Sequence, residues 1–431
     1  MIDIKNLHQK FLNSSGISTD TRSIKPNKLF FALKGENFNG NQYAREAIKN
    51  GATYAIIDET IDETIDEKND HLILVDDVLK TLQELASYHR NYLGIPVIAL
   101  TGSNGKTTTK ELITACLSAQ FNITATKGNL NNHIGVPLTL LSMNSSTQIG
   151  VVEMGANHQK EIQALSKIAQ PDYGLITNYG KAHLEGFGGI EGVIKGKSEL
   201  YDHLRLHNKT AFVNADDRIQ LEKSAGIERN TFGSSTADYP IDYLPETEFA
   251  SVRFNGVTIK SNLTGFYNCS NIAAACAIAA NFNVSVTEIK KAIENYVPRN
   301  NRSQIIKKNS ATILLDAYNA NPTSMNAALE NLFKVANSYK IAILGDMFEV
   351  GKTALEEHQA IVNLAESGDI NQLILIGETF GQTSSTEQKT KRFSDYNEAE
   401  AFLKGVNFSN TYCFIKASRG MALERIVDLI E

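Results

Sequence analysis

Short apolar runs alternate with amphipathic stretches along most of the chain. Residues 97–100 are apolar, which suits a buried strand, and the pairs Leu112/Cys116 and Ile113/Leu117 then recur at the i, i+4 spacing of a helix. The same pattern predicts further strands at 53–57, 71–75, 149–152, 173–178 and 210–213, and helices at 44–49, 78–93 and 272–280. Strands separated by helices predict an α/β fold with mostly parallel sheets.

Two punctuated segments divide the chain into three predicted domains. Gly94-Ile95-Pro96 ends one helical stretch, and Pro298 follows another. At 431 residues the chain is long enough for three domains that each bury a core. The predicted domains are a small α/β domain at 1–93, a central domain with a mostly parallel sheet at 94–298, and a Rossmann-like domain at 299–431.

The stretch between the strand at 97–100 and the next helix has the composition of a phosphate-binding loop. Its two glycines allow backbone N–H groups to curl around phosphate oxygens, and the N-terminus of the following helix adds partial positive charge. The lysine can reach the outer phosphates, and the hydroxyl of Thr107 can hold Mg²⁺. A plain turn is the alternative interpretation, because a Gly-Lys-Thr sequence after a strand can also occur without binding phosphate. We interpret the stretch as an ATP site formed by Gly102, Ser103, Asn104, Gly105, Lys106, Thr107 and Thr108.

A carboxylate, Glu153, directly follows the predicted strand at 149–152. The carboxyl ends of parallel strands are where α/β proteins bind ligands, so Glu153 is a candidate Mg²⁺ ligand beside the phosphate loop. Another acidic stretch, at 58–67, repeats Glu-Thr-Ile-Asp. We interpret it as a solvated surface segment and not as a metal site, because densely packed like charges repel and no histidine accompanies them.

Composition limits the partners of this protein. A net charge of −6 argues against a nucleic-acid partner, which would require a basic face. The four cysteines are scattered without a C-x-x-C pair, which indicates neither a zinc site nor a disulfide framework. The N-terminus lacks the apolar region of a signal peptide, and the run at 272–280 is too short to span a bilayer. We therefore expect a soluble cytoplasmic monomer with no nucleic-acid or membrane partner.

Several motifs together resemble the Mur ligase family, whose members join amino acids to cell-wall precursors. The phosphate loop has leucine at 100, where the common pattern has its first glycine, and glycine at 102 instead. The Asn-rich segment at 126–137 and the Gly-Phe-Tyr-Asn-Cys-Ser-Asn segment at 265–271 are similar to family patterns. Asp-Ala-Tyr-Asn-Ala-Asn-Pro-Thr-Ser-Met at 316–325 is the most diagnostic match after the loop. The resemblance covers all three predicted domains in order.

The resemblance implies that the N-terminal domain binds uridine and that the UDP-linked precursor continues into the central domain. Amide side chains suit that second role, because they donate to and accept from sugar and peptide groups without adding charge. Turn chemistry at a sheet edge is the alternative for the N-terminal residues. The residues implied are Thr19, Thr21, Glu36, Asn37 and Phe38 in the N-terminal domain, and Asn131, Asn132 and Asn157 in the central domain.

The resemblance also implies which groups act on ATP. Asn268 and Asn271 would reach the adenine, with helix capping as the alternative. Arg302 would reach the ATP phosphates from the C-terminal domain, and Asp316 would also lie at the ATP site. His183 would bind a second Mg²⁺. The implied catalytic residues are Lys106, His183, Lys197 and Arg302.

Lys197 would carry a carbamate made with CO₂. A free ammonium beside two divalent cations would be repelled, whereas a carbamate is an anion that can orient toward metal. Lys195 competes for this role, and on spacing alone a solvated helical lysine is the simpler interpretation. Lys197 is the lysine that aligns with the family pattern, because Glu-Leu-Tyr follows it at the matching distance.

The activity implied is that of an ADP-forming ligase in peptidoglycan synthesis. The segment at 316–325 is similar to that of the members that add D-alanyl-D-alanine to UDP-N-acetylmuramoyl-tripeptide through an acyl phosphate. The member that adds the third amino acid usually carries Asp-Asn-Pro-Arg, and this chain has no such motif between Gly377 and Phe414. From other classes, a P-loop kinase or a nucleotide-regulated binding protein stays open as an alternative.

Overall fold

The structure of the chain is a computed structural model that describes residues 2–60, 71–233, 235–245, 249–299, 301–336 and 339–430. Within these residues, three main sheets of four, nine and six strands follow one another along the chain, with a two-stranded hairpin in the first part. Helices and strands are interleaved and most strand pairs are parallel, so the predicted α/β class is confirmed. Most of the acidic repeat, residues 61–67, lies outside the described residues.

The N-terminal part forms the four-stranded sheet in the order β1-β2-β5-β6, with all strands parallel. The helix at 78–93 is capped at its N-terminus by the Asp77 side chain, which accepts from the Lys80 N–H. It is capped at its C-terminus by Gly94, which is in the left-handed conformation. Its elements are α1 (Ile4–Leu12), β1 (Ile17–Ser18), β2 (Lys28–Phe31), β3 (Lys34–Gly35), β4 (Phe38–Asn39), α2 (Ala44–Lys49), β5 (Ala52–Ile57), β6 (Leu72–Leu74) and α3 (Val78–Leu93), with 3-10 turns at Thr21–Ser23 and Gly40–Tyr43.

The central part contributes the nine-stranded sheet, which is parallel except at one edge, where three strands form an antiparallel meander. Its elements are β7 (Val97–Thr101), α4 (Lys106–Leu117), β8 (Ile123–Ala125), α5 (Gly135–Leu141), β9 (Ile149–Glu153), α6 (Glu161–Ala169), β10 (Tyr173–Ile176), α7 (Leu184–Phe187), α8 (Ile190–Leu206), β11 (Thr210–Asn214), α9 (Arg218–Lys223), β12 (Glu228–Gly233), β13 (Tyr239–Leu244), β14 (Phe249–Phe254), β15 (Val257–Thr264), α10 (Asn268–Asn281) and α11 (Val286–Asn295). The strand order is β15-β14-β13-β12-β11-β10-β7-β9-β8. The order reverses at β7, and ligands of α/β sheets bind at such a point, outside the carboxyl ends of the strands.

The C-terminal part forms the six-stranded sheet in the order β16-β17-β21-β18-β19-β20, in which only the β16–β17 pair of the described strands is antiparallel. Its elements are β16 (Gln304–Lys308), β17 (Ala311–Asp316), α12 (Pro322–Phe333), β18 (Tyr339–Gly345), α13 (Ala354–Ser367), β19 (Gln372–Ile376), α14 (Glu378–Gly381), β20 (Thr390–Phe393), α15 (Tyr396–Leu403) and β21 (Thr411–Lys416), with 3-10 turns at Gly351–Thr353, Arg419–Met421 and Leu423–Leu429. The Asn321 side chain caps α12 at the Ser324 N–H.

The N-terminal and central parts share one hydrophobic core. Side chains of α1 and α3, such as Leu7 and Leu85, pack in the same buried cluster as Val97 of β7 and Leu140 of α5. The buried Arg90 guanidinium of α3 adds polar contacts to the carbonyls around β10 and an ion pair with Asp172 at 2.6 Å. Contacts of this kind hold the first part firmly on the second. The three-way division at 93/94 and 298/299 stays a prediction.

A buried pair of histidines connects α1 to α3. His89 Nε2 donates to the Met143 carbonyl at 3.0 Å, which leaves its Nδ1 to accept from His8 Nε2 at 3.0 Å. Burial lowers the pKa of His8 to about 4, with the neighbouring His89 adding to the shift, and burial also lowers the pKa of His89. Both rings are therefore neutral in the folded chain near pH 7.

We expect acid to destabilise the fold through this pair. The folded pKa of His8 lies below its unfolded value of 6.5, so the unfolded state takes up the proton first. Stability is then complete above pH 6.5 and falls as the pH decreases toward about 4, by up to about 3 kcal/mol. Urea unfolding at pH 7.5 and 5 measures this loss. A His8→Phe/His89→Phe variant should lose much less between the two pH values, and an equal loss would refute the assignment.

Among the described residues, none of the helices combines the length and the apolar character that crossing a lipid bilayer requires.

Candidate functional site

The predicted phosphate loop lies between β7 and α4, at the carboxyl end of β7. Gly102 has φ +142°, and a Cβ there would lie 2.0 Å from Thr177 Oγ1. Gly105 has φ +80°, and a Cβ there would lie 2.5 Å from Asn271 Oδ1. Both positions therefore need glycine, for conformation and for space. The loop leads directly into the N-terminus of α4 at Lys106, which is the arrangement that binds phosphate.

Lys106 points back over its own loop. Its ammonium donates to the Gly102 carbonyl at 2.7 Å and to the Ser103 carbonyl at 3.3 Å. Burial lowers the pKa of Lys106 to about 8, with the Glu153 carboxylate opposing the shift and the Arg302 guanidinium adding to it. The lysine thus stands among groups of both signs and is ready to exchange carbonyl contacts for phosphate oxygens.

We expect the affinity for ADP to fall as the pH rises through about 8. Phosphate binds best to the ammonium form of Lys106. At a pH above the pKa of Lys106 in the free protein, the side chain has to take up a proton when ADP binds. The decrease should approach tenfold per pH unit. Titration calorimetry with ADP from pH 6.5 to 9.5 measures it, and a Lys106→Met variant should bind weakly with a flat profile. An unchanged affinity of the native chain at pH 9.5 would contradict the expectation.

Oxygen atoms suited to a magnesium ion meet at the end of β9. Glu153 Oε1 accepts from Asn131 Nδ2 at 2.8 Å and from Thr107 Oγ1 at 3.3 Å. Glu153 Oε2 is buried and has no hydrogen-bond partner among the described residues. An orphaned buried carboxylate oxygen beside a threonine hydroxyl fits a hard divalent cation, because Mg²⁺ prefers oxygen ligands. Within the described residues, no cluster of three or more His, Cys, Asp or Glu side chains has metal-binding geometry.

A cavity of about 670 Å³ opens in front of the loop, between the central and C-terminal parts. It brings together most of the residues predicted to handle ATP and the precursor. Those that line it are Ser103, Asn104, Gly105, Lys106, Thr107, Thr108, Asn131, Asn132, Glu153, Asn157, His183, Asn268, Asn271, Arg302 and Asp316. Gly102, the first residue of the loop, is buried and is not among the lining residues.

The asparagines predicted to face the adenine lie in the first turn of α10. The helix begins at Asn268, so the predicted start at 272 is four residues too late. Asn268 Nδ2 donates to the Thr264 carbonyl, and Asn271 Nδ2 donates to Asn268 Oδ1. Asn271 Oδ1 also accepts from Thr109 Oγ1 of α4. Tyr267 occupies the cap position, and no side-chain cap is formed by the described residues there. Asn268 and Asn271 are therefore hydrogen-bonded to each other within α10, and Asn271 also connects α10 to α4.

Arg302 reaches the cavity from the start of the C-terminal part. Its guanidinium carbon lies 3.7 Å from the centre of the Tyr318 ring. The residues on either side, Asn301 and Ser303, have φ values of +58° and +47°, an uncommon conformation for residues other than glycine. Ser303 Oγ is hydrogen-bonded to the Tyr267 hydroxyl at 3.2 Å, and the Ser303 N–H donates to Asp316 Oδ1. Strained backbone of this kind is typical of functional sites.

Asp316 forms an ion pair with the buried Lys416 across the two adjacent strands β17 and β21. Lys416 also donates to the Asn319 carbonyl at 3.1 Å. Asp316 was expected at the ATP site, and the structure places it in the wall of the cavity with its carboxylate engaged by Lys416 and Ser303. Its role at ATP stays a prediction.

Several contacts join the central and C-terminal parts around the cavity. Asn321 Nδ2 donates to Asn104 Oδ1 of the phosphate loop at 2.7 Å. His183 Nδ1 is hydrogen-bonded to the Glu349 carboxylate, and this bond holds the pKa of Glu349 below its usual range. Lys181 forms an ion pair with Glu357 at 2.6 Å. The predicted metal ligand His183 therefore lines the cavity, but one of its ring nitrogens is committed to a carboxylate.

Lys197 lies behind the cavity wall and is fully buried. Its ammonium donates to the Ala156 carbonyl at 3.1 Å and lies 4.9 Å from the centre of the Phe187 ring. Burial lowers its pKa well below the usual range, and the positive charge of Lys106 acts in the same direction. The competing Lys195 is exposed. The simpler interpretation of Lys197 as a solvated helical lysine is therefore wrong, and that description fits Lys195 instead.

The residues predicted to face uridine lie away from this cavity. Glu36 and Asn37 are exposed at the turn of the β3–β4 hairpin, and Phe38 follows them with 48% of its surface exposed. The Phe38 ring stacks on Tyr43 at 5.2 Å. Thr19 directly follows β1 and Thr21 begins the first 3-10 turn, and both are half-buried. None of the five lines the cavity.

Sequence reasoning missed several residues that line the cavity. Tyr318 lies in the diagnostic segment at 316–325 and Lys416 is the last residue of β21, but the sequence alone predicted no role for either residue. Asn178 is the last residue of the predicted strand at 173–178, and its Oδ1 accepts from the Asn104 N–H. Tyr267 directly precedes α10. The available signal was position: each lies at the carboxyl end of a strand or directly before a helix.

Three stretches of the chain match the Mur ligase family: residues 13–90 match its catalytic domain, residues 100–279 its middle domain, and residues 301–425 its glutamate ligase domain. Among curated relatives, the UDP-N-acetylmuramoyl-tripeptide–D-alanyl-D-alanine ligase of Bacillus subtilis is 35% identical over 96% of this chain and 93% of the relative. The corresponding ligase of Escherichia coli is 32% identical over the same shares.

Solved structures resemble the whole chain. A MurF structure from Acinetobacter baumannii superposes with a TM-score of 0.86 at 32% identity and covers 98% of both chains. The MurF ligase of Thermotoga maritima in complex with ADP superposes with a TM-score of 0.84 at 26% identity and covers 97% of both chains. The phosphate loop, the paired sheets around the cavity and these similarities agree. The chain belongs to the Mur ligase family.

Proposed function

We propose that this protein is the ATP-dependent ligase that joins D-alanyl-D-alanine to UDP-N-acetylmuramoyl-tripeptide in peptidoglycan synthesis. The relatives from Bacillus subtilis and Escherichia coli that carry this name match nearly the full chain. The ADP complex of a similar structure supports ATP as the co-substrate. The cytoplasmic location and the monomeric state are parts of the same proposal.

The observation that carries the proposal is the composition of the cavity. One wall presents a phosphate loop with Lys106, and the opposite wall presents Arg302 on Tyr318 from another sheet. The asparagines at 131, 132 and 157 line the same space, and they supply neutral donors and acceptors. A site built from two separate parts can bring a nucleotide and a peptide together, which ligation requires and simple ATP hydrolysis does not.

The reaction that this site would carry out has two steps. The terminal carboxylate of the tripeptide attacks the γ-phosphate of ATP and expels ADP, which gives an acyl phosphate. The amine of the dipeptide then attacks the acyl carbon, loses a proton and expels inorganic phosphate. Lys106 and Arg302 would neutralise the oxygens of the transferred phosphoryl group, because catalysis of such transfers is mostly positioning and electrostatics.

Thr107 and Glu153 are the residues that would hold a magnesium ion. Bound there, the ion would offset the negative charge of the nucleotide phosphates. The hydroxyl and the unpartnered carboxylate oxygen support this position. A second ion beside His183 follows from the family resemblance and has less support, because Nδ1 of that ring is engaged by Glu349.

We also propose that Lys197 carries a carbamate. Its amine is buried and its pKa is lowered, so it is present in part as the neutral nucleophile that reacts with CO₂. In that reaction the amine bonds to the carbon of CO₂ and a proton is released. The product is an anion, which the positive charge of the neighbouring Lys106 would stabilise, and its nitrogen can still donate to the Ala156 carbonyl.

We expect the Lys197→Ala variant to be nearly inactive and to recover part of its activity in acetate or formate. A small carboxylate can occupy the space of the missing carbamate and restore its charge. The exposed Lys195 serves as the matched control: Lys195→Ala should keep most activity and show no response to acids. Steady-state rates with acetate at up to roughly 200 mM, a range in which weakly bound anions occupy their sites, measure the rescue. An active Lys197→Ala variant would refute the carbamate.

An omission assay tests the proposed function. ADP release is measured with ATP, UDP-N-acetylmuramoyl-tripeptide and D-alanyl-D-alanine together, and then with each compound left out in turn. The proposal requires that sustained ADP release needs all three. Release that continues without the dipeptide would favour a kinase or a nucleotide-regulated binding protein. Turnover with a single amino acid on a UDP-dipeptide precursor would favour the ligase of the preceding step.

A further inference from the structure

We propose that Arg419 binds the terminal carboxylate of the incoming dipeptide, next to the aromatic rings of Tyr318 and Phe348. The inference rests on the proposed function and adds to it a residue that determines which acceptor is used. Arg419 begins the turn that follows β21, three residues after the cavity-lining Lys416.

The Arg419 guanidinium is oriented and still accessible. One of its N–H groups donates to Glu424 Oε1 at 2.6 Å, and its carbon lies 6.0 Å from the centre of the Tyr318 ring. The side chain is 58% exposed. Glu424 therefore fixes the direction of the group, while solvent access leaves it open to a ligand. A guanidinium is the side chain best matched to a carboxylate, since it can donate two parallel hydrogen bonds.

A second guanidinium lies near the same ring. Arg302 is 3.7 Å from the centre of Tyr318, and no carboxylate of the described residues forms an ion pair with it. The proposed reaction brings two separate anionic groups to this region, the transferred phosphoryl group and the carboxylate of the dipeptide. Arg302 lines the cavity together with Lys106, whereas Arg419 is not among the lining residues, so we assign the phosphoryl group to Arg302 and the carboxylate to Arg419.

The length of the dipeptide agrees with this assignment. The guanidinium carbons of Arg302 and Arg419 lie 3.7 Å and 6.0 Å from the centre of the same Tyr318 ring. The distance between the two carbons therefore cannot exceed the sum of these two distances. Two residues in extended conformation span about 7 Å. A dipeptide whose amine lies at the acyl phosphate, near Arg302, can therefore place its carboxylate at Arg419.

Phe348 supplies an apolar surface beside this position. Its ring is 47% exposed and lies over Gly420, where a Cβ would come within 2.7 Å of the ring. The Phe348 N–H donates to Ser418 Oγ at 2.9 Å, which fixes the backbone under the ring. An exposed aromatic surface next to a cation suits a ligand with small methyl side chains and a terminal carboxylate.

The test compares two acceptors, D-alanyl-D-alanine and D-alanyl-D-alaninamide, which differ only in the terminal charge. The native chain should use the amide with a KM about tenfold to a hundredfold higher. Arg419→Gln should raise the KM for D-alanyl-D-alanine by a similar factor, remove the preference for the carboxylate, and leave the KM for ATP unchanged. Arg419→Lys should keep part of the preference. Arg425→Gln is the matched control, because Arg425 also lies over a tyrosine ring, but this ring is Tyr396, which does not line the cavity as Tyr318 does.

Each outcome decides the inference. Equal use of both acceptors by the native chain would overturn it without any variant, as would an Arg419→Gln chain that still prefers the carboxylate. Equal increases in the KM for ATP and for the dipeptide would indicate a structural role and overturn it as well. A native chain that ligates neither acceptor would instead refute the proposed function, so the two failures are distinguishable.

Discussion

The Lys106→Ala variant is expected to lose ATP turnover by about 10²- to 10³-fold while the chain stays folded. The Lys106 ammonium is a long, positively charged group that can stay in contact with the γ-phosphate as it is transferred. Its present partners are two loop carbonyls, which can accept hydrogen bonds from water instead. Removal of the side chain therefore takes away charge stabilisation and little packing. Steady-state ADP release with all three substrates measures the loss.

The control for this variant is Lys223→Ala, which removes an exposed lysine from the last turn of α9. It should retain the native rate, and both variants should unfold within about 0.5 kcal/mol of the native chain. A Lys106→Ala chain with nearly native turnover would show that the loop is a structural turn and not a nucleotide cradle.

The Glu153→Gln variant is expected to lose turnover by on the order of 10²-fold and to need more magnesium. Glutamine preserves the size of the side chain and an oxygen that accepts from Asn131, but it removes the charge that a buried, unpartnered Oε2 would offer to a cation. Rates measured over a magnesium titration separate the weaker metal binding from a lower maximal rate. Binding of ADP without magnesium should be much less affected.

Glu161→Gln is the matched control for the carboxylate. Glu161 lines the same cavity, but its Oε2 accepts from the backbone N–H groups of Asn157 and His158, and a glutamine oxygen can continue to do so. Its magnesium dependence should stay native. If Glu153→Gln had the same magnesium dependence as Glu161→Gln, Glu153 would be removed from the metal site.

Local features of the fold were predictable from the sequence. The helices at 44–49 and 78–93 have the predicted bounds, because both show clear amphipathic spacing and α3 has a side-chain cap at one end and a left-handed glycine at the other. The start of α10 was placed too late. Asparagine is a weak helix former, and hydrogen bonds to Thr264 and within the first turn extend the helix in a way that propensity does not reveal.

The shared core of the N-terminal and central parts was not predictable in the same way. Hydrophobic spacing shows which face of α3 is buried, but not that this face packs against residues of β7 and α5. The same limit applies to the opposite wall of the cavity. Arg302, Tyr318 and Lys416 come together through strand pairing between segments about 100 residues apart, and only the fold determines such contacts.

Isotope transfer from the tripeptide tests the central claim most directly. The terminal carboxylate of UDP-N-acetylmuramoyl-tripeptide is labelled with ¹⁸O at both oxygens, and the chain is given ATP, magnesium and D-alanyl-D-alanine. If the carboxylate attacks the γ-phosphate and the amine then expels phosphate, one labelled oxygen appears in each phosphate released and one stays in the new amide. Mass spectrometry of the phosphate reads the result. Unlabelled phosphate formed at the rate of ADP release would contradict ligation through an acyl phosphate.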